Sequence, residues 1–174
     1  MCGIAGIISL KKQPLEPKAA VRAAKNISAQ MNSRGPDDEG YLSFIPSLSS
    51  PLLYGGNKTA QKTKEFFSFV PIAPVNELYK QNYSLLFVHR RLSIHDLSPR
   101  GFQPMTIDGG KYSIIFNGEI YNFKEIRNTL KANGVEFFSE SDTEVILQSY
   151  KKWGIDCVQK FNGMFAFALL DAEQ

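Results

Sequence analysis

The sequence predicts an α+β fold in a single domain. Its 174 residues correspond to about one domain, enough chain to bury a substantial hydrophobic core. Apolar runs of strand length are mixed with segments whose apolar residues recur every three or four positions, as on one face of a helix. Strands and helices in such a mixed order are typical of α+β proteins.

The first elements are a strand, a helix and a second strand. Residues 3–10 form an apolar run of strand length. A helix is predicted from Pro17 to about Asn32, because proline is tolerated in the first turn and apolar residues then repeat at helical spacing. The next residues, Arg34 to Asp38, have the composition of a turn, and a short strand is predicted at 40–45.

Residues 46–82 differ in composition from the rest of the chain. They carry several prolines and many serines and lysines, which are typical of loops. A loop of this length is unusual in a compact domain, so we expect an insertion with local structure, serving as a lid or a contact surface. Within it, the apolar run 66–70 fits a short edge strand.

The remaining chain alternates between strands and helices. Strands are predicted at 83–88, 111–116, 135–138 and 164–170, and helices at 123–133, 141–153 and 155–161. Asn133-Gly134 marks a helix end. Ser141 followed by Glu144 matches a capping box, in which each side chain binds a backbone N–H at the start of a helix.

Composition excludes several classes of protein. A net charge of +3 is too small to predict binding to nucleic acid or to a membrane surface. The two cysteines, Cys2 and Cys157, do not make a disulfide framework and fit a reducing compartment. Neither a membrane-spanning apolar run nor a signal-peptide pattern occurs in the sequence. These observations predict a cytoplasmic protein.

Cys2 is the first candidate for chemistry. Removal of Met1, which is common before a small residue, would leave a thiol and a free α-amine on Cys2. The amine has a reference pKa of about 7.8 and the thiol of about 8.5, so the amine can serve as base for its own thiol near neutral pH. Alternatively, Cys2 is an ordinary residue near the start of the chain.

Asn117-Gly118 follows the apolar strand predicted at 111–116. The pattern favours a two-residue hairpin turn, for which Asn-Gly is the strongest short signal. The alternative is an oxyanion hole, in which a side-chain amide and a backbone N–H point at one developing negative charge.

Charged residues near strand and helix ends are further candidates. Arg90-Arg91 is either a solvated basic strand end or a guanidinium fork for a substrate carboxylate. Asp142 lies in a first helical turn, where an acidic residue stabilises the helix dipole or accepts a substrate ammonium; Glu119 is a second acceptor. His89 and His95 fit no metal-ligand spacing and are interpreted as structural.

Together these groups match an α-amino acid that carries a side-chain amide. The motifs lie at 1–6, 34–37, 89–96, 117–122, 141–147 and 163–171. With them, the chain resembles the glutaminase domain of class II glutamine amidotransferases, and most closely that of glutamine-dependent asparagine synthetases. The resemblance implies the N-terminal nucleophile hydrolase fold, a four-layer αββα sandwich.

The resemblance also implies a role for each candidate residue. Cys2 would be the nucleophile and its amine the base, with Asn117 and the Gly118 N–H as the oxyanion hole. In the substrate pocket, Arg91 would bind the glutamine α-carboxylate, Glu119 and Asp142 the α-ammonium, and backbone near Leu92 and Ile94 would line the wall. A thioester at Cys2 would release ammonia and then, with water, glutamate.

No cofactor is expected in this domain. Relatives of this kind continue into a synthetase domain that uses ATP and Mg and amidates aspartate or a related carboxylate with the ammonia. We therefore expect a covalently linked or separate synthetase domain as partner, with residues 46–82 as a candidate homodimer contact. Two alternatives stay open. One is an inactive scaffold that retains Met1, and the other is an N-terminal nucleophile amidase for another amide, against which Arg91 and Asp142 speak.

Overall fold

Two β-sheets lie face to face between helices in the computed structural model of the chain. The structure describes residues 1–10, 14–47, 50–56, 59, 63, 72–80, 82–94 and 96–174. None of the helices in these described ranges has the length and apolar character that crossing a membrane requires.

The first sheet has five strands in the spatial order β1-β5-β2-β3-β4. Its strands are β1 (Gly3–Ile8), β2 (Asp38–Phe44), β3 (Leu52–Gly55), β4 (Ile72–Pro74) and β5 (Leu85–Arg91). All pairs are antiparallel except β3 with β4. Helix α1 (Pro17–Gln30) covers one face, because its buried residues Ala20, Val21 and Ala24 pack against Leu86 and Val88 of β5.

The second sheet has three antiparallel strands in the order β6-β7-β8. These are β6 (Met105–Ile107), β7 (Tyr112–Ile120) and β8 (Gly163–Asp171). Helices α2 (Phe123–Ala132) and α3 (Asp142–Trp153) cover its outer face through a core that includes Leu130, Val145 and Ile146. Short 3₁₀ helices occur at Val75–Lys80, Pro99–Gly101, Asp108–Gly110 and Gly154–Lys160.

The inner faces of the two sheets share a third core. Leu42, Phe44 and Phe87 of the first sheet pack with Ile115 of the second. Three cores between helix, sheet, sheet and helix make four layers, and the predicted α+β fold with an αββα sandwich is confirmed.

Most predicted elements are confirmed, with small shifts at their ends. The strands predicted at 3–10, 40–45, 83–88, 111–116 and 164–170 correspond to β1, β2, β5, β7 and β8. The helices predicted at 17–32, 123–133 and 141–153 correspond to α1, α2 and α3. The helix at 155–161 is a 3₁₀ helix over Gly154–Lys160. The run 66–70 lies outside the described residues. The segment 46–82, expected to be a loop, contributes β3 and β4 to the first sheet.

Three local predictions are wrong. Asn117 and Gly118 form no hairpin turn, because they lie inside β7, opposite Ala166 and Phe165 of β8. Residues 135–138 form no strand. Only half of the capping box forms, with the Ser141 hydroxyl accepting a hydrogen bond from the Glu144 N–H at 3.3 Å.

The carboxylate of Glu144 does not bind the N–H of Ser141, as it would in a capping box. It accepts hydrogen bonds from the backbone N–H groups of Phe138 at 3.0 Å and Ser139 at 2.7 Å. These N–H groups have no strand partner, and the buried Glu144 satisfies them.

Candidate active site

A pocket of about 260 Å³ opens where β1 and β5 of the first sheet approach β7 of the second. Its wall includes all eight residues to which the family resemblance gives a role, namely Cys2, Arg91, Leu92, Ile94, Asn117, Gly118, Glu119 and Asp142. They come from the start of β1, the end of β5 and the segment after it, the second half of β7, and the first turn of α3. The fold thus gathers residues that lie up to 140 positions apart in the chain.

Cys2 lies beside the end of β5. Gly3 pairs with Arg90 across the sheet, so Cys2 is next to the end of that strand. The Leu92 N–H donates a hydrogen bond to the Cys2 Sγ atom at 3.4 Å, and the Sγ lies 3.6 Å from the Leu92 carbonyl.

Burial raises the pKa of the Cys2 thiol above its ordinary value. The Leu92 N–H, the positive N-terminus and Arg91 act in the opposite direction, and the charge of Asp142 adds to the rise. The thiol is therefore mostly protonated at neutral pH, and nucleophilic attack needs a base to remove its proton. In a chain that carries Met1, the nitrogen of Cys2 is a peptide nitrogen and cannot be that base.

Asn117 and Gly118 are adjacent on β7, and the backbone of β8 lies close against Gly118. Gly118 has a φ of +153°, and a Cβ atom there would lie 2.3 Å from the carbonyl oxygen of Met164 and 2.5 Å from the Cα of Phe165. Only glycine fits at this position. Among the residues that the structure describes, the buried Oδ1 atom of Asn117 finds no hydrogen-bond partner. An unpaired buried polar atom is costly, and this one belongs to a residue that lines the pocket.

Arg91 supplies a fixed positive charge. It is buried, and two of its guanidinium N–H groups donate to backbone carbonyls, Nη1 to Ser98 at 3.2 Å and Nη2 to Asp96. Burial lowers the pKa of Arg91, whereas Asp38, Asp96, Cys2 and Asp37 raise it. A guanidinium stays protonated under such shifts, so the pocket wall keeps a cation there.

Asp142 and Glu119 supply negative charge. Asp142 is buried in the first turn of α3, and its Oδ2 accepts a hydrogen bond from the Ile120 N–H of β7 at 3.1 Å. Glu119 is a half-buried residue of β7. A buried guanidinium and two carboxylates in one pocket wall suit the carboxylate and ammonium groups of a free amino acid.

Some pocket residues were missed by sequence reasoning. Gln103 is buried; its Oε1 accepts from the Phe116 N–H at 2.8 Å, and its Nε2 donates to the Thr143 hydroxyl at 3.2 Å. It therefore ties β7, one residue before Asn117, to α3. A single glutamine in a loop carries no sequence signal for this. Asp96 also lines the pocket, and it lies within the motif at 89–96 without having been given a role.

His89 is structural, as predicted. It is fully buried, and desolvation lowers its pKa to about 3, so the ring is neutral and Nε2 donates to the Phe116 carbonyl at 3.1 Å. His95 lies outside the described residues. Within the described part of the chain, no three His, Cys, Asp or Glu side chains lie close enough together to hold a metal ion.

The family model of the glutamine amidotransferase domain matches residues 75–174. The chain belongs to this family. Two relatives match over the whole chain: asparagine synthetase [glutamine-hydrolyzing] 3 of Bacillus subtilis, 34% identical, and putative asparagine synthetase [glutamine-hydrolyzing] 2 of Methanocaldococcus jannaschii, 32% identical. This glutamine amidotransferase domain spans 22% and 28% of their lengths.

A solved structure shows the same fold. The glutamine phosphoribosylpyrophosphate amidotransferase of B. subtilis matches with a TM-score of 0.67 over 97% of this chain and 35% of that chain. Sequence identity is 17%, so this similarity concerns the fold alone. The family resemblance drawn from the motifs is confirmed.

Proposed function

We propose that this glutamine amidotransferase domain hydrolyses L-glutamine to glutamate and ammonia, with Cys2 as the nucleophile. The observation that carries the proposal is that one pocket holds the Cys2 thiol, the Arg91 guanidinium and the Asp142 carboxylate together. A zwitterionic amino acid bound between the two charges would have its side chain free to reach the thiol.

The reaction begins with transfer of the thiol proton to the α-amine of Cys2, after Met1 has been removed. The thiolate attacks the side-chain amide carbon, and the negative charge on its oxygen is stabilised by the Asn117 side-chain amide and the Gly118 N–H. The amine returns the proton to the leaving nitrogen, so ammonia departs and a thioester remains. Water, activated by the same amine, then releases glutamate and restores the thiol.

The ammonia would serve a synthetase reaction. The two full-length relatives are named as asparagine synthetases and are about four times as long as this chain. We therefore place the acceptor reaction in an ATP- and Mg-dependent synthetase domain, linked or separate, that amidates aspartate or a related carboxylate.

Glutamate release from glutamine tests the proposal, on protein whose N-terminus has been determined by intact mass. Cys2→Ala should abolish release, because the nucleophile is lost. Cys157→Ala is the matched control, since it removes the other thiol, which is buried in the 3₁₀ helix Gly154–Lys160 and is not among the residues that line the pocket. Release that persists in Cys2→Ala would refute the mechanism.

A substrate panel tests the choice of amide. If Arg91 and Asp142 bind the α-carboxylate and α-ammonium, amides that lack either group should react much more slowly than glutamine. Faster hydrolysis of an amide without the α-carboxylate would instead support an amidase of different specificity.

A further inference from the structure

The carboxylate of Asp96 joins two segments that are distant in the chain. Its Oδ1 accepts from the backbone N–H of Ser98 at 2.8 Å, within the segment after β5. Its Oδ2 accepts from the N–H of Glu140 at 3.2 Å, in the loop that leads into α3. Each oxygen thus holds a different wall of the pocket.

On the first wall, the hydrogen bond from Ser98 to Asp96 helps to hold Arg91 in place. The Arg91 guanidinium is held by two carbonyls, those of Asp96 and Ser98. The Asp96 carboxylate fixes the turn that contains both of them, so it determines where the guanidinium lies.

On the second wall, the hydrogen bond from the Glu140 N–H fixes the backbone two residues before Asp142. The other side of this loop is fixed by Arg127, which donates to the carbonyls of Ser139 at 2.7 Å and Ser141 at 2.8 Å. Asp96 therefore connects this loop to the Arg91 side of the pocket.

We propose that Asp96 is a positioning residue that sets the spacing between Arg91 and Asp142, so that both charged groups of glutamine are recognised together. This inference rests on the proposed function. Asp96 lines the pocket, but both carboxylate oxygens are used by backbone N–H groups of the protein, which is what a positioning role requires.

The ionised state of Asp96 fits this role. Burial raises the pKa of its carboxyl, but hydrogen bonds from Ser98 and Glu140 and the charge of Arg91 outweigh burial and leave the pKa below its usual range. A carboxylate accepts two N–H bonds at once, whereas an asparagine offers one acceptor and turns its amide N–H₂ toward the other donor.

The test compares Asp96→Asn and Asp96→Ala with the wild-type chain. In Asp96→Asn the KM for glutamine should rise about tenfold, with kcat changed less than about twofold, because one charge-assisted hydrogen bond is lost. Asp96→Ala should raise KM further. Asp156→Asn, the same change at an exposed carboxylate outside the pocket, is the control and should leave both constants unchanged.

Two competitive inhibitors distinguish an effect of Asp96 on the spacing of Arg91 and Asp142 from an effect of its charge on Arg91. 4-Carbamoylbutanoate lacks the α-ammonium, and 4-aminobutanamide lacks the α-carboxylate. Each contacts only one wall, so the inhibition constant of each should change much less in Asp96→Asn than the KM for glutamine does. If Asp96 acted only through its charge on Arg91, the inhibition constant of 4-carbamoylbutanoate would change together with the KM for glutamine, and the proposal would be overturned.

Amide hydrogen exchange tests the linkage without any turnover. The Ser98 and Glu140 amides should both exchange faster in Asp96→Ala, and unchanged exchange overturns the proposal. A wild-type chain that begins at Cys2 and releases no glutamate refutes the proposed function instead. An active wild type whose KM is unaffected by Asp96→Asn refutes the positioning role alone.

Discussion

At the scale of single residues, the pocket includes a position, Gly118, that only glycine can occupy. Gly118→Ala would place a Cβ against two backbone atoms of β8, at 2.3 Å and 2.5 Å, and backbone cannot move aside as a flexible side chain can. We expect a loss of about 2–4 kcal/mol in the free energy of unfolding, measured with urea.

Gly109→Ala is the matched control for that substitution. Gly109 has a φ of +64° but nothing lies within 4 Å of its added Cβ, so only the backbone conformation opposes alanine. The expected loss is about 1 kcal/mol. Equal losses at the two positions would show that contact with β8 does not restrict Gly118.

The raised pKa of Cys2 predicts how the thiol reacts with pH. The thiolate is the reactive form, so alkylation by iodoacetamide of the chain that carries Met1 should accelerate as pH rises, with an apparent pKa above that of a free cysteine, about 8.5. Mass spectrometry of the Cys2 peptide measures the rate. A rate that already levels off below pH 8 would contradict the dominance of burial.

His89 predicts a loss of stability in acid. Its pKa is about 3 in the folded chain and about 6.5 in an unfolded one, so the unfolded chain binds the proton more readily between those values. Stability is complete above pH 6.5 and should fall as pH decreases toward 3, by up to about 1.4 kcal/mol per pH unit. His89→Gln, which can keep the donor to the Phe116 carbonyl, should show a weaker decline in urea titrations; an identical decline would contradict this.

At the scale of elements, the loop before α3 determines where Asp142 lies. Arg127 of α2 is buried, binds two carbonyls of this loop and lies over the ring of Phe137 at 4.5 Å. Arg127→Met should lower the free energy of unfolding by about 3 kcal/mol, because it leaves buried carbonyls without donors, and should raise the KM for glutamine. Lys131→Ala, at an exposed position on the same helix, should change neither.

Local sequence rules predicted an element correctly where its own residues determine its structure. The face of α1 and the Ser141 cap follow directly from periodicity and capping chemistry. They failed where a neighbouring element determines the structure. Asn117-Gly118 stays extended because β8 pairs with β7 along its whole length. Residues 135–138 form no strand, and the Phe138 N–H at the end of this segment is bound by the Glu144 carboxylate instead of by a strand. The sequence near a residue does not predict where such a partner will lie in the fold.

At the scale of the whole molecule, the site arises from the meeting of two sheets. The eight predicted residues reach one pocket because β5 and β7 end near each other and α3 begins beside them. Their chemical types were readable from the sequence and from the family resemblance. Gln103 and Asp96, whose side chains bind backbone groups across the fold, could not be assigned from spacing, since their roles exist only once the layers are stacked.

The most direct test of the account compares two forms of the same chain, one retaining Met1 and one beginning at Cys2 after treatment with methionine aminopeptidase. If the Cys2 α-amine is the base for the Cys2 thiol, only the form that begins at Cys2 will release glutamate from glutamine. Equal release from both forms, or release from neither, would contradict catalysis by Cys2 as an N-terminal nucleophile.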